Sequence, residues 1–264
     1  MRIGIYTNKA KDADGKWTNL LQDELSKYGI DYVEIRADST NYDIDLLIVL
    51  GGDGTLLKLV NYLVRANVPV IGINAGKVGF LAEFETFEIA EAVKLISNNE
   101  LIIDERIVIK TKYNGNVQYA LNELVIQRIF DNAPQKILTV DISIDGEYVD
   151  KIDGDGVIIS TPTGSTAYSL SAGGSILSPG INAFSMTPIC AHSLHNRPLV
   201  FSADSKCELK LTSSATSGLV IDGVFSRNIK KDDVITIYKS TKTIKFLRKK
   251  DTNFYSRLLN KLKK

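Results

Sequence analysis

The chain has 264 residues, 32 Lys and Arg against 31 Asp and Glu, and a formal net charge of +1, so no global field draws it to nucleic acid or to an anionic membrane. Its two cysteines, Cys190 and Cys207, are too few for a disulfide framework and too far apart for a metal knuckle, and they read as buried thiols of a reducing compartment. No run approaches the ~20 apolar residues of a membrane span, and Lys9 and Lys11 interrupt any leader-like segment, so a cytoplasmic protein without nucleic-acid or membrane partners is expected.

In chain order, Arg2 to Tyr6 reads as a strand, Trp17 to Tyr28 as an amphipathic helix stopped by Gly29, and Asp31 to Ile35 as a second strand. Leu46 to Leu50 follows as a third strand, Leu56 to Val64 as a helix, Val68 to Ile73 as a fourth strand and Phe87 to Ser97 as a helix. This alternation over residues 1–100 predicts an α/β domain with a parallel sheet, whose ligands sit beyond the carboxyl ends of the strands. Residues 101–251 change to short alternating strands with turn residues between them, which predicts a β-rich second domain. Its strands are Arg106 to Tyr113, Val117 to Ile126, Leu138 to Ile144, Val149 to Ile152, Gly156 to Ser160, Lys206 to Leu211, Gly218 to Ile221, Val234 to Tyr238 and Thr243 to Phe246, with turns at Asn114-Gly115 and Asp145-Gly146. Residues 252–264 return to helical spacing from Asn253 to Leu262 and are expected to pack back on the first domain. A firm interface with a cleft between the two domains is expected.

Gly51-Gly52-Asp53-Gly54-Thr55 lies between the apolar strand Leu46 to Leu50 and the helix after it. Glycines let backbone N–H groups approach an anion, and the N-terminal end of a helix favours one, so this turn suits a phosphate. A carboxylate repels phosphate, which points Asp53 toward a hydroxyl proton or a metal ion. Asp and Gly in such a place also suit a helix cap or a turn brace.

Asp155 to Tyr168, continuing to Gly173-Gly174, strings small hydroxyls, glycines and one proline behind an apolar strand. It offers many hydrogen-bond groups with little bulk, as a nucleoside's ribose and ring edges require. Asn122-Glu123 interrupts an apolar run and reads either as a ligand-bonding pair or as an outward-facing one. Neither the Gly-Lys-Ser/Thr phosphate loop nor three spaced glycines after the first strand occurs. His192-Ser193-Leu194-His195 lacks the pattern of a zinc helix, so both histidines read as structural or as groups that support a site from behind its contacting residues, and no metal-ligating residues are assigned. Ser165 has no nucleophile-elbow context.

These motifs, with Asn74-Ala75-Gly76-Lys77-Val78-Gly79-Phe80-Leu81, Pro188 to His192, Asn196 to Leu199 and Asp222-Gly223, resemble in order and spacing those of the ATP-NAD kinase family over essentially the whole chain. The first motif is shared with lipid kinases and more loosely with phosphofructokinases; the Asn122-Glu123 and Asp155 to Tyr168 motifs belong to the NAD kinases. The resemblance implies transfer of the γ-phosphate of ATP, with a divalent ion such as magnesium, to the 2′-hydroxyl of the adenosine ribose of NAD. It implies Asp53 as proton acceptor, Gly54 against the ligand, and Lys58 at a position that reaches substrate phosphate in some relatives. Asn122 and Glu123 would bond NAD; Asp155, Thr166, Ala167, Tyr168, Ser169, Leu170 and Ser171 would line it, with Tyr168 near the nicotinamide. Lys136 falls where the family places a ligand-facing residue across a subunit contact, and homodimers or homotetramers are implied. Asp153, also expected at the ligand, stands where many relatives have arginine, and Val224 where they have glutamine. A lipid kinase and a dinucleotide-binding regulator without catalysis remain as alternatives.

Overall fold

The computed structural model describes residues 1–36, 43–76, 79–129, 136–193 and 195–262. Lys77 and Val78 of the glycine-bearing motif, Leu194, and Lys263 and Lys264 at the end of the 252–264 segment lie outside them. Two compact units emerge, Met1–Arg106 with Thr243–Lys264, and Ile107–Lys242.

The first unit runs β1 (Arg2–Thr7), α1 (Lys16–Lys27), β2 (Asp31–Glu34), β3 (Leu46–Gly51), α2 (Asp53–Leu57), α3 (Val60–Ala66), β4 (Val70–Asn74), β5 (Phe84–Glu85), α4 (Ile89–Ser97) and β6 (Ile102–Arg106). Its sheet has the order β2-β1-β3-β4, with β1, β2, β3 and β4 parallel. All of β3 is buried, as its unbroken apolar run requires, and Ile3, Ile5, Ile48, Leu50, Ile71 and Ile73 share a core with Leu21 and Leu25 of α1 and Ile89 and Val93 of α4. Because the chain steps from β1 to β2 on one side and then crosses to β3 on the other, the order reverses between β1 and β3. Ligands of open α/β sheets bind at such a reversal, beyond the carboxyl ends of the strands.

The second unit runs β7 (Ile109–Tyr113), β8 (Asn116–Ala120), β9 (Glu123–Arg128), β10 (Leu138–Ile144), β11 (Glu147–Gly154), β12 (Gly156–Ser160), α5 (Tyr168–Ser171), β13 (Ala183–Ile189), β14 (Leu199–Ser202), β15 (Cys207–Leu211), β16 (Ser217–Ile221), β17 (Val224–Ile229) and β18 (Val234–Lys239). Two six-stranded antiparallel sheets, β11-β10-β15-β18-β7-β8 and β14-β13-β12-β9-β16-β17, contribute to one core that includes Ile109, Val140, Ile142 and Leu209 of the first and Ile126, Ile159, Phe184 and Leu219 of the second. Asn114-Gly115, Asp145-Gly146 and Asp222-Gly223 each put two consecutive residues at positive φ, the conformation a two-residue hairpin demands.

Several expected elements divide differently. The helix expected from Leu56 to Val64 begins at Asp53 and breaks at Lys58 and Leu59, where Leu59 N–H bonds Leu56 O at 2.9 Å. The strand expected from Val117 to Ile126 is two strands in different sheets, separated at Leu121 and Asn122. Arg106 to Tyr113 likewise splits into β6 and β7, one in each unit. The segment from Thr243, which alternation groups with the β-rich half, instead forms β19 (Ile244–Arg248), pairing with β4 and β6 of the first unit. The helix α6 (Phe254–Leu262) also belongs to that unit and ties to it through the Arg257–Glu83 ion pair. Only Cys207 is a buried thiol. Cys190 is exposed, because it follows β13 in a left-handed turn with φ of 46° rather than lying within the strand.

Candidate active site

In the first unit, three loops meet at the carboxyl ends of β1, β3 and β4. Asn8 N–H bonds Leu50 O at 2.9 Å, Asn8 Nδ2 donates to Thr55 Oγ1 at 2.9 Å, and Ala75 N–H bonds Gly51 O at 3.2 Å. A Cβ on Gly51 would stand 2.4 Å from Thr55 Oγ1, so the turn closes only with glycine there. Asp53 opens α2, and its carboxylate accepts hydrogen bonds from Phe80 N–H at 2.7 Å and Leu81 N–H at 3.1 Å. The preceding Gly79 makes that approach possible, since a Cβ on it would lie 1.8 Å from Asp53 Oδ1. The carboxylate is thus half-buried and aimed by the next loop of the sheet. Gly54 and Lys58 are exposed nearby in sequence, Lys58 as the residue that ends α2.

α2 is only five residues long, so its summed dipole is small, and the unshielded turn amides are the groups here that can meet an anion. One cation that sequence reading did not single out for the site, Lys11, brings its Nζ within 3.6 Å of the place a Cβ on Gly76 would occupy. Its only sequence signal is a lysine just past the end of β1.

In the second unit the Leu121-Asn122-Glu123 backbone is held from both sides. Asp222, at φ of 47° in the β16–β17 turn, accepts from the N–H groups of Leu121 (2.8 Å), Asn122 (2.8 Å) and Glu123 (3.1 Å). Thr161 Oγ1 donates to Leu121 O at 2.5 Å, and Thr161 N–H to Asn122 O at 2.9 Å. Gly164 lies against the same peptide, where a Cβ would fall 2.1 Å from Asn122 O. Tyr168 N–H bonds the Glu123 carboxyl, whose Oε2 is buried without a partner. The fold therefore assembles Asn122, Glu123, Gly164 and Tyr168 into one cluster, with Tyr168 itself 41% exposed.

Burial, and then the neighbouring Asp222 charge, push the Glu123 carboxyl up to about 8. Burial pushes Asp222 up to about 6, against the opposing pull of its three backbone N–H bonds. Near neutral pH the pair therefore holds its negative charge on Asp222, where donors converge, and its proton on Glu123. A neutral carboxylic acid both donates and accepts, which suits a ribose hydroxyl.

The remaining expected residues are spread along this unit. Asp155 pairs with Arg128 at 2.5 Å, and Arg128 Nη1 also reaches Lys136 O at 3.5 Å, so Arg128 links those two positions. Lys136 is exposed and donates to Ser214 Oγ at 3.0 Å. Asp153 accepts from Thr139 Oγ1 at 2.7 Å and lies 3.5 Å from Lys151 Nζ, so its reversed charge has local partners. Thr166 Oγ1 donates to Thr163 O at 3.3 Å, and Ala167 N–H to Gly164 O at 2.8 Å. Ser169 is fully buried, with its hydroxyl on Thr187 Oγ1 at 2.9 Å; Leu170 is partly buried and Ser171 exposed on α5. Val224 is exposed at the start of β17.

Comparison with known proteins matches residues 7–101 to the ATP-NAD kinase N-terminal domain and residues 121–249 to the ATP-NAD kinase C-terminal domain. An NAD kinase of Caldicellulosiruptor saccharolyticus is 36% identical over the full length of both chains, and one of Methanothermobacter thermautotrophicus is 37% identical over 90% of this chain and 81% of its own. Among solved structures, yeast NADH kinase complexed with NADH superposes with a TM-score of 0.84 at 28% identity, covering 99% of this chain and 87% of its own. An NAD kinase from Archaeoglobus fulgidus in complex with ATP gives 0.81 at 26% identity, covering 100% and 99%. With both domain models matched along a fold that also carries the motif residues, the chain belongs to the ATP-NAD kinase family.

Proposed function

We propose that the chain transfers the γ-phosphoryl group of ATP to the 2′-hydroxyl of the adenosine ribose of NAD, giving NADP and ADP. The observation that carries this reading is the Asp53 carboxylate, fixed by two backbone amides at the reversal point of a parallel sheet and flanked by glycines that leave room for phosphate. The ribose oxygen forms a bond to the γ-phosphorus as the bridge to the β-phosphate breaks; its proton passes to Asp53 and ADP leaves. Asn122, neutral Glu123 and the loop through Tyr168 bind the dinucleotide, and Lys58 and Lys11 offer positive charge to phosphates. Asp153, Asp155, Lys136, Thr166, Ala167, Ser169, Leu170 and Ser171 complete the NAD site, in part through backbone groups, as the burial of Ser169 requires.

Magnesium takes one or two protein oxygens together with phosphate oxygens and water. Asn74 Oδ1, buried and without a partner at the end of β4, is a donor of that kind. Bound with ATP, the ion would neutralise charge on the phosphates. The protein works in the cytoplasm as a homodimer or homotetramer, which light scattering on the purified chain tests.

The activity test is a coupled assay with ATP, magnesium and NAD, read by an NADP-specific dehydrogenase. NADP formation is expected; tight NAD binding without it would favour a regulator, and phosphorylation of a lipid instead would favour a lipid kinase. In the same assay Gly79→Ala is expected to lose roughly 10- to 100-fold in kcat, because the added methyl displaces the Asp53 carboxylate that the loop aims. An unchanged kcat would mean that the loop's grip on Asp53 has no part in the reaction.

A further inference from the structure

The loop that aims Asp53 is itself gripped from behind by two arginines distant in sequence. Arg257, on α6, donates through Nη1 to Ala82 O at 3.1 Å and to Phe80 O at 3.4 Å, and through Nη2 to Glu83. Arg248, on β19, donates through Nη1 to Leu81 O at 2.7 Å and to Glu83 Oε2 at 3.1 Å. Glu83 sits between the two guanidinium groups with its side chain 1% exposed, and also accepts Lys249 N–H at 3.1 Å and the Thr252 hydroxyl. The carbonyls of Phe80, Leu81 and Ala82 therefore face guanidinium groups, while the N–H groups of Phe80 and Leu81 face Asp53.

One peptide unit carries the connection. The Phe80 carbonyl and the Leu81 N–H belong to the same amide, so Arg257, that amide and Asp53 Oδ1 form a continuous chain of hydrogen bonds. Bonds in such a chain polarise one another, and a cation at the carbonyl end strengthens the N–H as a donor. The arginines also fix where the amides stand. A glycine-flanked loop has little stiffness of its own, and a reacting group must be held to about half an ångström.

We propose that Arg257 and Arg248 are positioning residues for Asp53, acting through the Phe80–Ala82 backbone. This rests on Asp53 serving as the proton acceptor. The simpler role, in which Arg257 only anchors α6, predicts loss of stability without a selective loss of turnover.

The test uses the full chain. Arg257→Ala, Arg257→Lys, Asp53→Asn and the double variant Asp53→Asn with Arg257→Ala are compared for kcat, for KM toward ATP and NAD, and for melting temperature. Lys249→Ala serves as the control. It removes the Lys249 pairs with Glu88 and Glu91 on the same segment and leaves the carbonyl contacts alone. Arg257→Ala is expected to lower kcat roughly 10- to 100-fold with both KM values within about threefold of the parent. Arg257→Lys recovers part of that loss, since a lysine keeps the charge beside Glu83 without the planar fork. Lys249→Ala keeps its kcat. If Arg257→Ala fails to fold, Arg257→Lys carries the test, with a kcat loss of about threefold or more expected. In the Asp53→Asn background the arginine substitution adds no further loss, because the positioned group no longer accepts a proton.

An unchanged kcat in the folded arginine variants, a loss confined to KM, or an equal loss with and without Asp53 would each overturn the proposal. Near-parental turnover by Asp53→Asn alone would instead overturn the proton-acceptor reading beneath it, so the two failures are distinguishable.

Discussion

Asp53→Asn is expected to lower kcat by roughly 10²- to 10⁴-fold while leaving KM for both substrates within a few-fold, the range a positioned proton acceptor contributes. Asparagine has the shape of aspartate but cannot take a proton from a ribose hydroxyl. Its structural cost is small and identifiable. The two oxygens of Asp53 now accept from Phe80 N–H and Leu81 N–H, and an amide can offer an oxygen to only one of them. One amide is left facing an NH₂ group, a loss on the order of 1 to 2 kcal/mol that shows as a lower melting temperature without unfolding. Steady-state kinetics and thermal melts on the same preparation separate the two effects. Near-full turnover by a folded Asp53→Asn would remove the carboxylate from the chemistry.

Why Asp53 was legible in the sequence, and its supports were not, follows from range. Gly51 to Thr55 is a local signal, since strand, turn and helix each announce themselves within a few residues of the carboxylate. Gly79, which lets the next loop reach Asp53, sits in a motif that could be quoted but whose steric purpose depends on a contact 26 residues back along the chain. Arg248 and Arg257 act from beyond residue 240 and look in sequence like ordinary basic positions on a strand and a helix. The turn at Leu121 and Asn122 was invisible for a different reason. Apolar residues continue on both sides of it, so alternation reads straight through. What ends β8 there is the set of bonds from Asp222 and Thr161 to the backbone. β13 carries Pro188, a residue without the N–H that a strand ladder uses. Its register explains the exception: β14 pairs only with Ala183 through Met186, so the missing N–H falls beyond that ladder.

Asp222→Ala is expected to remove on the order of 3 to 5 kcal/mol of unfolding free energy at neutral pH, and Glu123→Gln to raise stability above about pH 8. The signs differ because the two carboxyls do different work. Truncating Asp222 strands the N–H groups of Leu121, Asn122 and Glu123 in an interior where water cannot replace their acceptor. Glu123 has one donor, Tyr168 N–H, and one buried oxygen without a partner, so its charge is poorly met and the group stands at about 8 instead of its ordinary 4.5. A raised carboxyl binds its proton more tightly in the folded chain than in the unfolded one. The stability this gives is complete below about pH 4.5 and is lost as pH climbs through about 8. That loss is on the order of 5 kcal/mol. Glutamine keeps the shape and the acceptor oxygen but carries no titrating proton, so the Glu123→Gln chain loses this part of the pH dependence. Urea unfolding midpoints from about pH 5 to about pH 9 measure both expectations at once. A parental slope in Glu123→Gln would place the shared proton elsewhere, and a small effect of Asp222→Ala would mean that Thr161 and Gly164 alone hold the Asn122 turn against the loop it serves.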